Sequence, residues 1–136
     1  MATAADPRAA YTGALTARTH GVGAWAVVTL TGELDLATGD AARRELARAE
    51  RETGLVLLDL RGISFMDSTG LHMVIDAARR LAERHGRLVL VDGPRAVRRV
   101  FEITGTVDRF EIVRDPLEVL KDDSAAGGID QFVRAS

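Results

Sequence analysis

The sequence predicts a single α/β domain: a mixed sheet of about five strands, opened by an antiparallel hairpin, with about four helices packed mainly on one side. Three observations carry this. Leu55-Val56-Leu57-Leu58-Asp59-Leu60 is a near-continuous apolar run of strand length, the pattern of a strand buried on both faces. From Ser68 to Gly86 the apolar residues Leu71, Val74, Ile75, Ala78, Leu81 and Ala82 fall on one helical face together with His85, opposite His72, Asp76, Arg80 and Glu83. Strand-like and helix-like segments then alternate to residue 120. At 136 residues there is length for one core and not two.

The elements follow in order. Residues 1–13 are Ala-rich and without periodicity, and read as a flexible arm. Ala14 to His20 and Ala24 to Leu30, around Gly21-Val22-Gly23, form the hairpin. Thr38 is placed to N-cap a helix to about Glu52, with Asp40 in its first turn and a thin apolar stripe of Ala42, Leu46 and Ala49. That stripe suggests a helix on a sheet edge. Gly54 ends it, the apolar strand follows, and the helix from Ser68 closes at Gly86, the expected C′ glycine. Arg87 to Val91 is a further central strand. Asp92-Gly93-Pro94 opens a third helix, with Val97, Val100, Phe101 and Thr104 inward and Gly105 at its end. Phe110 to Val113 is a short strand, and Asp115-Pro116 starts a last helix through Leu120. Residues 121–136, with Gly127-Gly128 and no period, are expected to be a disordered tail, leaving 14–120 as the domain.

Composition removes whole classes of function. The absence of cysteine excludes disulfides, thiolate catalysis and thiolate metal sites. A net charge of −2 offers no basic field for phosphate backbones, and four Phe, one Trp and one Tyr are few for base stacking, so nucleic acid is not an expected partner. No unbroken apolar run, Leu55 to Leu58 included, approaches the length needed to span a bilayer, and no leader pattern begins the chain. The cytosol is therefore the expected compartment. His20, His72 and His85 share no ligand spacing, there is no phosphate-cradling glycine loop, and Asp67-Ser68 lacks a nucleophile-elbow context. No enzyme, metal site or cofactor is expected.

Phe65-Met66-Asp67-Ser68-Thr69-Gly70-Leu71 joins a buried strand to the strongest helix, at the edge where open α/β sheets meet ligands and partners. Asp67 or Ser68 can serve as the N-cap, with Gly70 allowing close packing on the sheet. Met73, about 200° around the helix from Leu71, should face outward, so Met73 and His72 are candidate contacts beside Ser68.

Gly32-Glu33-Leu34-Asp35, then a helix, then Leu57-Leu58-Asp59-Leu60, then Asp67-Ser68-Thr69-Gly70-Leu71 together resemble the STAS-domain family, above all its bacterial anti-sigma factor antagonists. Pro94-Arg95-Ala96-Val97-Arg98-Arg99-Val100-Phe101 resembles that family's third helix. The resemblance covers about residues 14 to 120. It implies that Ser68 is the serine phosphorylated by a partner anti-sigma factor with serine-kinase activity, with Thr69 as a near rival. It also implies a serine phosphatase for reset, and a partner surface of Glu33, Asp35, Met66, Asp67, Thr69, Gly70, His72 and Met73. His72 departs from the glycine common there. Unphosphorylated, such a protein sequesters the anti-sigma factor and frees a sigma factor; phosphorylated, it lets go. The alternative implied by the same family is an accessory subunit of a lipid or anion transport complex.

Overall fold

The structure, a computed structural model, describes residues 9–11 and 14–123. Six strands form one sheet in the order β1-β2-β3-β4-β5-β6: Ala9–Tyr11, Leu15–Val22, Trp25–Leu34, Leu55–Met66, Arg87–Val91 and Glu111–Val113. The first three are antiparallel and the rest parallel, so the sheet is mixed and opens on the expected hairpin, β2 and β3. The added strand is β1, drawn from the segment expected as an arm. Its Ala-Ala-Tyr carries no apolar alternation; backbone pairing along the free edge of β2 is enough to form it.

The helices are α1 (Gly39–Glu52), α2 (Ser68–Glu83), α3 (Arg95–Ile103) and α4 (Leu117–Asp123), with a 3-10 turn at Val107–Arg109. Each parallel step along the sheet is made by one crossover helix. Because all three steps advance in the same direction, crossovers of one hand put α1, α2 and α3 on one face. There Val28, Leu30, Val56, Leu58, Leu60 and Leu90 meet Leu46, Val74, Leu81 and Phe101 in the main core. The opposite face, with Trp25, Val27, Leu57, Val89 and Val91, is packed by Val119 and Leu120 of α4. That helix runs to Asp123, past the expected end at Leu120, and Asp115 and Glu118 start it with a capping box: the Asp115 carboxylate accepts from Leu117 N–H, and Glu118 from Asp115 N–H. The expected tail from residue 124 lies outside the described residues, as do residues 1–8, 12 and 13 of the expected arm.

Two expectations about position are corrected. α1 lies over β2 and β3, inside the sheet and not at its edge, and it buries two carboxylates with partners. Glu45 accepts from Thr19 Oγ1 at 3.0 Å and from Arg48 at 2.7 Å, while Glu50 accepts both Arg80 Nε and Nη2 at 2.8 Å. Arg80, expected as part of a solvated face, thus ties α2 to α1. The buried face of α2 comprises Gly70, Leu71, Met73, Val74, Ala77 and Leu81, whereas Ala78 is half-buried and Ala82 and His85 are exposed. The arc is rotated by about 60° from the expected one, since residues step by about 100°. Leu71 marks its rim, not its centre, and the small residues Gly70 and Ala77 lie on its inner side. The C-terminal turn of α2 ends on His85 at φ 61°, the left-handed position expected of Gly86.

Candidate functional site

β4 continues six residues beyond Leu60, to Met66, and this extension builds the site. Along the parallel pair, Thr29 faces Asp59 but Glu33 faces Phe65, so four steps on β3 are matched by six on β4. Two register shifts absorb the difference, one on each side of Gly32. Gly32 has φ 113°, and a Cβ there would lie 2.0 Å from the Ala14 carbonyl oxygen. Only glycine lets β2 and β3 stay this close through the bulge. The shifts break inside-outside alternation, so the sequence after Leu60 does not read as strand. They also place Glu33 within β3, where a turn was expected, directly beside Phe65.

Past these residues the strands diverge into helix starts. Asp67 N–H donates to Leu34 C=O at 3.2 Å, holding the end of β4 against the end of β3. Asp67 is the N-cap of α2: its backbone is extended, and its Oδ1 accepts from Thr69 N–H at 2.8 Å. Gly70 and Leu71 N–H both turn to the Asp67 carbonyl, at 3.1 and 3.4 Å. The choice between Asp67 and Ser68 as cap is thereby resolved. Ser68 is the first helical residue, exposed, and its hydroxyl has no hydrogen-bond partner among the described residues.

A packed floor lies beneath Ser68. Met66, Gly70 and Met73 are all buried; Met73 is 2% exposed, which overturns its expected outward position. In the folded chain these three shape the site from below and present no surface to a partner. Thr69 is half-buried, and its Cγ2 lies 2.9 Å from where a Gly39 Cβ would sit, so the first turns of α1 and α2 touch. His72 is exposed, one turn along from Ser68.

The link from β3 to α1 is a tight polar turn. The Asp35 Oδ1 accepts from Ala37 N–H at 3.0 Å and from Thr38 N–H at 3.1 Å. Thr38 Oγ1 accepts from Asp35 N–H at 2.9 Å and donates to Glu33 C=O at 2.8 Å. Thr38 occupies the expected N-cap position of α1 without making the side-chain cap bond, because its hydroxyl is engaged in this turn. Asp35 likewise spends its carboxylate on the turn, while the exposed Glu33 carboxylate has no ion-pair partner among the described residues. The turn projects Leu36 into solvent at 82% exposure, and Phe65, beside Glu33, is 49% exposed. Neither was singled out as a contact from the sequence; a lone leucine among turn residues carries no periodic signal.

The Asp67 carboxylate is committed to Thr69 N–H, and among the described residues no three His, Asp or Glu side chains lie close enough to hold a metal. On the same strand, Arg61 donates Nε and Nη2 to the two oxygens of Asp59, chiefly raising its pKa through those hydrogen bonds. No helix among the described residues is long and apolar enough to cross a membrane.

Comparison with known proteins gives a consistent result. The STAS-domain family model matches residues 15–118. The anti-sigma-B factor antagonist of Listeria monocytogenes serovar 1/2a is 37% identical over 86 residues, 62% of this chain and 75% of that one. A crystal structure of an anti-sigma factor antagonist from Mycobacterium paratuberculosis superposes with a TM-score of 0.70 at 21% identity, over 89% of this chain and 98% of that one. The Bacillus cell fate determinant SpoIIAA in its phosphorylated form superposes at 0.62 with 24% identity, over 78% and 97%. The two structures, at these identities, speak for the fold.

Proposed function

The chain belongs to the STAS-domain family, and from that premise we propose that it acts in the cytoplasm as an anti-sigma factor antagonist switched by phosphorylation of Ser68. Unmodified, it binds a serine-kinase anti-sigma factor and frees a sigma factor; phosphorylated, it releases that partner, and a serine phosphatase resets it. It is a substrate and binding protein, not an enzyme.

The observation that carries the reading is the Ser68 hydroxyl. It is exposed at the first position of α2 and unbonded because Asp67 already caps the helix. In the transfer, Ser68 Oγ bonds to the γ-phosphorus of ATP, the bond to ADP breaks, and the hydroxyl proton passes to a base of the kinase. Two comparisons support the reading: the Listeria relative is named as an antagonist, and the phosphorylated SpoIIAA structure shares this fold.

Release follows from electrostatics. An acceptor serine must approach the nucleotide's phosphates and the kinase's carboxylate base, so anions face it in the complex. A phosphoserine adds about −1.5 to −2 charges. At about 5 Å and an effective dielectric near 20, each added charge is opposed by roughly 3 kcal/mol. Taking a complex from nearly all bound to nearly all free requires about 5.5 kcal/mol, so one phosphate suffices.

The test uses the purified serine-kinase anti-sigma factors of the same genome. Incubation with ATP should add one phosphate, mapped by fragmentation to Ser68 and absent from Ser68→Ala. Calorimetry should show Ser68→Ala still binding and Ser68→Asp binding more weakly, with both folded by circular dichroism. Label on Thr69, or equal affinities for all three proteins, refutes the switch. Co-purification with a transport ATPase in place of a kinase would move the assignment to a transport complex.

A further inference from the structure

The acidic residues ahead of α1 do not behave alike, and the difference bears on how the partner is recognised. Leu36 is the most exposed large apolar side chain among the described residues, at 82%. It is not on a loose loop. The Asp35 carboxylate and the Thr38 hydroxyl fix the turn around it through bonds to Ala37 N–H, Thr38 N–H, Asp35 N–H and Glu33 C=O. Both ends of the turn are anchored to the segment around Ser68: Leu34 C=O accepts from Asp67 N–H, and Gly39 packs on Thr69. An apolar side chain held outward by a rigid turn loses little freedom on binding, which is the condition for a strong contact.

We infer that Leu36 is the apolar anchor of the anti-sigma interface, inserted into an apolar pocket of the partner with a cationic rim, and that Asp35 positions Leu36 and does not itself meet the partner. The rim follows from charge: of the three carboxylates from Glu33 to Asp40, Asp40 is paired with Arg43 at 3.1 Å, which leaves Glu33 and Asp35 as the net negative charge beside Leu36. The same charge disfavours a second copy of this chain as the occupant, since the two patches would repel. The inference rests on the reading of Ser68 given above and deepens it by naming what the partner grips.

The experiment measures affinity for the purified kinase that binds wild type, using Leu36→Ala, Asp35→Ala and Asp35→Asn, with thermal melts as the folding control. Leu36→Ala removes exposed surface and should melt like wild type while binding about 30-fold more weakly, the scale of an interface hot spot. Asparagine keeps an oxygen that can accept from Ala37 and Thr38 N–H but has no charge. Asp35→Asn should therefore bind within about 3-fold of wild type, and Asp35→Ala should fall with Leu36→Ala. If Asp35→Ala proves unfolded, the contrast of Leu36→Ala with Asp35→Asn decides alone. Wild-type affinity in Leu36→Ala, or a loss in Asp35→Asn as large as in Leu36→Ala, overturns the inference and leaves the Ser68 switch standing. Self-association of the wild type that Leu36→Ala abolishes also overturns it, by placing a second copy on this surface. Failure of every kinase to bind the wild type overturns both.

Discussion

Gly70 sets two effects of known size against each other, and the structure decides between them. It is the third residue of α2, where alanine is intrinsically favoured over glycine by about 1 kcal/mol. A Cβ at this position would lie 2.5 Å from Met66 Cγ and 2.9 Å from both Met66 Sδ and Leu34 Cδ2. Ordinary carbon contacts are about 3.5–4.0 Å, so roughly 1 Å must be recovered among side chains that are 4% and 0% exposed. Overpacking of this kind costs about 1–3 kcal/mol, and Met66, though flexible, is hit at its Cγ and not at its free end. We expect Gly70→Ala to lose about 1 kcal/mol net, seen as a melting temperature lower by about 3–5 °C in a domain of this size. The cause is checked by a double-mutant cycle. In a Met66→Ala background most of the clash is gone, so the same substitution should cost at least about 0.5 kcal/mol less. A Gly70→Ala protein that melts at or above wild type would show that helix propensity wins and that the packing under Ser68 is looser than argued.

Two further predictions test the core and the surface. Ala77→Asp places a charge without a partner at a fully buried position of α2 and should lose more than about 4 kcal/mol or fail to fold, whereas Ala82→Asp should melt within about 0.5 kcal/mol of wild type; the reverse order would put the helix face back where the sequence suggested, and indistinguishable melts would refute both registers. Glu111 accepts from Arg87 Nε at 2.9 Å and also from Nη2, and these hydrogen bonds hold its carboxyl below the usual glutamate range. A depressed folded-state pKa gives stability that is present above the unfolded value of about 4.3 and lost as pH falls through the folded one. Glu111→Gln should therefore lower the melting temperature slightly at pH 7 and not at all in strong acid, with a small amplitude because both side chains are nearly half exposed.

The parts of the fold legible in the sequence are those with strong local chemistry. The hairpin around Gly23, the apolar half of β4, the start of α3 at Pro94 and its end at Gly105, and the Asp115 start of α4 all have residue types that few other structures would use. What escaped has physical causes. The second half of β4 is bulged, so its side chains do not alternate and its pattern is that of a loop. β1 forms by backbone pairing, which leaves no trace in side-chain type. The face of α2 was misplaced because Gly70 and Ala77, at the centre of the buried arc, carry little apolar signal, while Ala78 and Ala82 beside Ile75 completed an equally regular stripe. At the site, the start of α2 at Asp67-Ser68 was legible in capping chemistry, which left open which of the two residues is the cap. Asp35 was not, since an aspartate that closes a turn and one that meets a partner are the same letter in the same place.

The burial pattern divides the expected partner residues into two kinds of work. Met66, Gly70 and Met73 are covered, and a substitution there reaches the surface only by moving α2. Glu33, Ser68 and His72 are exposed, as are Leu36 and Phe65, and these are the side chains open to a docking partner. This division explains how a phosphate could act without rearranging the domain. At the start of α2 the helix dipole favours an anion by about 0.3–1 kcal/mol. The half-buried Asp67 carboxylate opposes it: two charges about 6 Å apart repel by roughly 0.7 kcal/mol if water screens them, and a phosphate carries nearly twice that charge. The two terms nearly cancel, and the hydroxyl that takes the phosphate gives up no hydrogen bond within the described residues. The folded state therefore neither gains nor loses much on modification. Under the proposed switch, the electrostatic effect of a phosphate would therefore fall on whatever docks over Ser68 and not on the fold.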